Sequence, residues 1–215
     1  MLKYLRLRAR RFADDSRGAM PVEGLMAFTL LAWWYMASFQ FFDALRQKNI
    51  NLKAAYTVAD LMSRETGPDP KNPTKVKIDD EYIKGLNRVF DYLTYSPRPT
   101  WIRVSSIFWD ETAKEYRVEW SYATSGHPAM TKDALYAKKN QIPKMSSGDS
   151  AIVMETHMAY VPIFDVGLAA RWYDTFTVTR PRFAGCIPWD TYGCGSNAGG
   201  PPNPDVIQLD PVYAN

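Results

Sequence analysis

A chain of 215 residues, 46% hydrophobic and 14% aromatic, holds enough apolar material for one folded domain of ordinary size plus an appended element. Its net charge of +3 is unevenly held: residues 1–18 carry six basic side chains against Asp14 and Asp15, and the remainder carries 20 basic against 21 acidic. A basic excess confined to a terminal tag excludes a nucleic-acid-binding face, which needs its cations on the folded domain.

Residues 1–18 read as a basic cytoplasmic leader. From Gly24 to Phe42 there follow 19 residues without a charge, GLMAFTLLAWWYMASFQFF. About 20 apolar residues cross the ~30 Å hydrocarbon layer as a helix. Basic residues close before the run place the N-terminus in the cytoplasm by the positive-inside rule. Trp33, Trp34 and Tyr35 lie near the middle of the run, which is too deep for an interfacial belt; they face either lipid or other helices. Beyond Phe42 the pattern turns polar but stays helical, with Ile50, Ala54, Val58, Leu61 and Met62 at spacings of three and four. One long helix is therefore expected over 19–66, about 70 Å long, with its membrane span at about 24–42. Gly67-Pro68 gives a sharp stop.

Residues 67–77 read as a proline-bearing linker that opens an α+β domain over 67–194. Asp79-Asp80-Glu81 starts a second helix, with carboxylates at the positive end of its dipole, and Tyr82, Ile83, Leu86, Val89, Phe90 and Leu93 form its apolar face. Ser96-Pro97-Arg98-Pro99 ends it. Strands are expected at Thr100–Phe108, with Ile102, Val104 and Phe108 on one face, and at Tyr116–Tyr122, where Tyr116, Val118, Trp120 and Tyr122 alternate with polar residues. Asp110–Glu115 joins them as a hairpin. A short helix is expected at Lys132–Lys139, and further strands at Ala151–Tyr160 and Thr175–Phe183. The Gly-, Pro- and Asn-rich stretch 195–215 reads as an irregular tail. The fold class is α+β, with an antiparallel sheet of about four strands packed on the helical stripe.

Cys186 and Cys194, the two cysteines, are neither a C-x-x-C redox pair nor by themselves a zinc site. Both follow the span, so the N-in topology puts them in an oxidising compartment, where they are expected to bridge. The two histidines give no metal site: His127 is isolated in sequence, and His157 sits beside Glu155 on what reads as an exposed strand face. No G-x-S-x-G, H-E-x-x-H, P-loop or dinucleotide fingerprint is present. The expectation is a protein that works by assembly rather than catalysis, with no cofactor and no metal.

The informative junction is Arg17-Gly18-Ala19-Met20-Pro21-Val22-Glu23. A glycine closes the basic leader, and one carboxylate stands at the threshold of the apolar run, where a charge is costly and normally has a partner or a function. Cleavage after Gly18 would give Ala19 a positive α-amino group able to neutralise Glu23 of the same or a neighbouring chain. Pro21 suits the first turn of a helix and would disrupt a helix running on from the leader. This junction resembles the processing site of type IV pilin-like proteins, which a prepilin peptidase cuts. The stretch RRFADDSRGAMPVEGLMAF is similar, more narrowly, to the minor pseudopilins of the Tad (tight adherence) pilus, the TadE-like family, and TFTVTRPRFAGC (Thr175–Cys186) resembles the last-strand region of its members. Gly24 departs from that pattern, in which an aromatic residue often follows the glutamate. The resemblance implies a pilin-like architecture and a minor pilin acting in pilus assembly, initiation or adhesion. Its implied partners are other pilins along the N-terminal helix, the prepilin peptidase, the inner-membrane assembly platform and membrane lipid. The domain would be periplasmic, and in the extracellular pilus after assembly. The alternative is an uncleaved single-pass envelope protein whose outer domain scaffolds or binds a partner.

Overall fold

The computed structural model describes residues 19–66, 78–164, 166–189, 194 and 207–208. The leader 1–18, the linker 67–77 and most of the tail therefore lie outside the described residues. Two compact units are present: Met1–Leu45 with Pro162–Ala169, and Arg46–Val161 with Ala170–Asn215.

Helix α1 runs without a break from Ala19 to Ser63. It stops three residues short of the expected end because its last turn tightens. Arg64 N donates to Leu61 O and Glu65 N to Met62 O, both at 3.2 Å, which are three-residue bonds that close off the helix carbonyls.

Within the second unit, the part of α1 beyond Arg46 buries Asn51, Ala54, Ala55, Val58, Ala59 and Met62. The three alanines let neighbouring side chains approach the helix backbone closely. Helix α2, Asp80–Thr94, starts as expected: the Asp79 carboxylate accepts from Tyr82 N at 2.7 Å, and Asp80 and Glu81 occupy the first turn. It buries Ile83, Leu86 and Phe90 but leaves Val89 exposed, correcting the expected face. Its end is Tyr95, held in the left-handed region at φ +48 with its N–H on Asp91 O.

Strands β1 (Thr100–Asp110), β2 (Glu115–Ala123), β3 (Ser150–Tyr160) and β4 (Arg171–Thr179) form an antiparallel sheet in the order β4-β3-β1-β2. A two-residue strand β5, Ile207–Gln208, adds in parallel to β2 within the stretch that reads as irregular from sequence. The β1–β2 hairpin turns on Asp110, whose Oδ1 accepts from Thr112 N at 2.8 Å and Ala113 N at 3.1 Å. The edge strand β4 starts four residues earlier than expected and ends at Thr179. Its register follows β3 from Tyr160↔Arg171 to Ile152↔Thr179, and Pro181 beyond it has no N–H to extend the ladder. The side chain of Asn51 donates to Tyr173 O at 3.1 Å and to Thr175 Oγ1 at 3.2 Å, so α1 occupies part of that edge.

A bulge corrects the expected single face of β2. Ser106 pairs with Trp120 and Ile107 with Val118, so Glu119 is the extra residue and side-chain parity flips there. Trp120 and Tyr122 join the core under α1 and α2 with Ile102, Val104, Ile152, Met154 and Met158. Val118 and Tyr116 point to the opposite face, with Ile107, Ala151 and Val153. That second face is covered by α3 (Lys132–Ala137) and its flanks through Met130, Leu135, Ile142 and Met145. The central strands are thus buried on both sides. Ile187 and Trp189 also enter the first core: Trp120 Nε1 donates to Ile187 O at 2.7 Å, and Trp189 stacks on Tyr122. Cys186 and Cys194 are bonded, with Cα atoms 6.2 Å apart, and this closes the segment that carries both residues.

Phe90 is fully buried while Tyr92, two residues on and on the opposite side of α2, is 70% exposed. Phe90→Ala is expected to lower domain stability by about 3–5 kcal/mol, whereas Tyr92→Ala should stay within about 0.5 kcal/mol. Urea unfolding of both variants in detergent checks this; equal effects would contradict the packing of α2.

Candidate functional site

The feature that calls for a function is the first half of α1. Among the described residues of the run Gly24–Phe42, only Gln40 is buried, at 2%. Phe28, Leu25, Met26 and Trp34 point to different sides of the helix and are each 61–72% exposed. The helix is long and apolar enough to cross a membrane. A core helix of a soluble protein would be mostly covered; this one is bare on every face, far beyond the apolar patch that a monomer in water tolerates.

Its few polar groups are arranged as hydrocarbon demands. Thr29 Oγ1 donates to Leu25 O at 2.8 Å and Ser38 Oγ to Trp34 O at 2.9 Å, so both hydroxyls are satisfied within the helix itself. Gln40 Oε1 accepts from the backbone N–H groups of Ile163 and Phe164, both at 3.1 Å, in the loop between β3 and β4.

Of the expected processing residues, Gly18 lies outside the described residues. Ala19 is the first residue of α1, with its side chain outside the description. Glu23 is exposed about one turn further on, and no hydrogen bond or ion pair reaches it among the described residues. The expected bridge Cys186–Cys194 is present. Glu119 lies within 4.8 Å of both sulfurs, but bridged sulfurs offer no thiolate to a metal.

The second unit carries a polar and aromatic cluster on its α3-side face. Cross-strand register sets it out: Trp101 opposes His157, Arg103 opposes Glu155, and His157 opposes Asp174. Trp101 is sandwiched between His127 and His157, with ring centroids 4.0 and 3.6 Å apart. His157 Nδ1 meets Asp174 Oδ1 at 2.6 Å, and the buried Glu155 accepts from both Arg103 and Lys138. This corrects the reading of His157 as part of an exposed strand face: the stacking of Trp101 covers it. These contacts tie the segment that carries His127 and Lys138 to the sheet, while His157 Nε2 stays buried with no hydrogen-bond partner among the described residues.

Burial pushes the Glu155 carboxyl up, but hydrogen bonds and charge from Arg103 and Lys138 outweigh it and hold the group below the usual carboxylate range. Burial pushes the His157 imidazole down, and Asp174 opposes this without reversing it. Both groups bind fewer protons folded than unfolded, so each contributes stability at neutral pH that is lost on acidification.

Comparison with protein-family models, with curated proteins and with solved structures returns no match for this chain. Two features lie beyond the sequence reading. The Gln40–loop contact had a signal in the lone amide of an apolar run and in the apolar pair Ile163 and Phe164. The Trp101–His157 stack had none, because it depends on strand register.

Thermal stability in detergent should fall first as pH drops below the imidazole's ordinary 6.5 and again below the carboxyl's ordinary 4.5. His157→Gln should flatten the first limb and leave the second. A first limb unchanged in His157→Gln would contradict the assignment.

Proposed function

We propose that this chain is a single-pass inner-membrane protein that works by assembly, a minor pseudopilin of a Tad-type pilus. The observation that carries the proposal is the division of one continuous helix. One half is apolar and bare on all sides; the other half is the core stripe of an α+β domain. Such a helix is stored in lipid as a monomer and buried against sister helices in a fibre, with no change in its own fold. The basic leader sets the N-terminus in the cytoplasm. The Cys186–Cys194 bridge supports an oxidising, periplasmic side for the domain.

On this reading a prepilin peptidase cuts between Gly18 and Ala19. The new α-amino group of Ala19 then pairs with the exposed Glu23 of a neighbouring chain, which neutralises both charges as the helices pack. The assembly platform and the other pilins are the protein partners. No catalytic role, cofactor or metal is part of the proposal.

Intact mass of the native protein tests the cleavage. In cells that make the peptidase, the mass should correspond to a chain beginning at Ala19, and Gly18→Leu should retain the leader. A native protein that keeps Met1–Gly18 would instead fit an uncleaved envelope scaffold. Glu23→Val should remain membrane-inserted and cleaved, since removing a charge favours the bilayer, yet be recovered at a fraction of the wild-type level in sheared pili. Undiminished incorporation of Glu23→Val would remove the carboxylate from assembly.

A further inference from the structure

The loop Pro162–Ala169 belongs to the same compact unit as the apolar half of α1. Two of its large apolar side chains, Ile163 and Phe164, are 76% and 46% exposed. Keeping large apolar groups exposed to water costs free energy. The loop is nevertheless held in place. Gln40 Oε1 accepts from both Ile163 N and Phe164 N at 3.1 Å, and Phe164 O accepts from Val166 N at 3.1 Å. Val166 lines one apolar groove with Trp34, Phe41, Phe42 and Leu45 of the helix. The anchor point lies inside the apolar run: Phe42, its last residue, is two positions beyond Gln40, about 3 Å along the axis.

We propose that Pro162–Ala169 is an interfacial membrane finger, a second lipid-contacting element clamped to α1 by Gln40. It inserts Ile163 and Phe164 at the boundary between acyl chains and headgroups, in the leaflet where the helix leaves the bilayer. The proposal rests on the reading of Gly24–Phe42 as the bilayer span. Nineteen helical residues cover about 28 Å, close to the hydrocarbon thickness, so the level of Gln40 is the boundary itself. A carboxylate in the loop sequence, Asp165, rules out deeper burial in hydrocarbon. The Gln40 contact solves a polar problem on both sides: it satisfies two backbone N–H groups and one amide oxygen, each costly to leave unpaired at that depth. The occupant is lipid, because Ile163 and Phe164 are large, apolar and exposed at the level where the helix leaves the hydrocarbon layer.

The test uses the full chain in vesicles of phosphatidylethanolamine and phosphatidylglycerol at large lipid excess. An environment-sensitive fluorophore is placed on one introduced cysteine: Ile163→Cys in the loop, Leu31→Cys in mid-run, or Lys114→Cys in the β1–β2 hairpin. The vesicles carry nitroxide lipids labelled either beside the headgroup or near the chain end. Position 163 should be quenched about twofold or more better by the shallow nitroxide than by the deep one, as for a group seated in the interface. Position 31 should show the reverse preference, and position 114 no quenching. Quenching at 31 without quenching at 163 overturns the finger and leaves the span intact. Quenching at neither overturns both. Quenching at 163 that disappears as protein is added at fixed lipid assigns the loop to a second copy and also overturns the proposal. Gln40→Ala should cut the shallow quenching at 163 by about half or more while position 31 is unchanged; an unaltered signal at 163 overturns the clamp.

Discussion

One helix must satisfy two surroundings, and the rest of the structure depends on that constraint. Beyond Arg46, α1 presents a narrow stripe to protein: Ala54, Ala55, Val58 and Met62 lie at spacings that keep one face on the sheet. Before Phe42 it has no preferred face, and its hydroxyls bond back to its own carbonyls. The change from one pattern to the other happens without a break in the helix. The domain's core therefore cannot form without the same element that carries the apolar surface. On the proposed reading, one helix links the folded domain to whatever covers that surface, lipid first and sister helices later.

The domain closes around that stripe with devices that do not rely on the helix alone. The sheet is covered on its second face by α3 and its flanks, and the buried Glu155 is held by two cations, Arg103 on Oε2 and Lys138 on Oε1. The two cations more than offset the burial of that carboxylate, and the pairing also fixes where Lys138 and Arg103 sit. The disulfide closes the segment that brings Ile187 and Trp189 under the sheet. Together these let a chain with a bare apolar arm keep a single packed domain.

Much of this was legible in the sequence where the signal is local. The uncharged run, the helical periodicity through Met62, the carboxylates that open α2 and the alternation in β1 each need only near neighbours to decide them. The failures share a cause. The bulge at Glu119 flips the parity of β2, and nothing in the alternation Tyr116, Val118, Trp120, Tyr122 announces it, because the extra residue is defined by the partner strand. The start of β4 hides behind the exposed Arg171 and Trp172, which pair by backbone alone. Ile187 and Trp189 look like part of a loop until Trp120 donates to it. The Gln40 contact joins residues over 120 positions apart, although the lone amide in an apolar run was a visible anomaly. The junction at Gly18 is the opposite case: it is readable only in sequence.

The central claim is that the first half of α1 resides in lipid. Alkaline carbonate extraction of native membranes tests it most directly, since high pH releases proteins held by charge or by partner contacts and retains those that cross the hydrocarbon layer. The full-length protein should remain in the membrane pellet and leave it only with detergent. Its recovery in the carbonate supernatant would contradict the account.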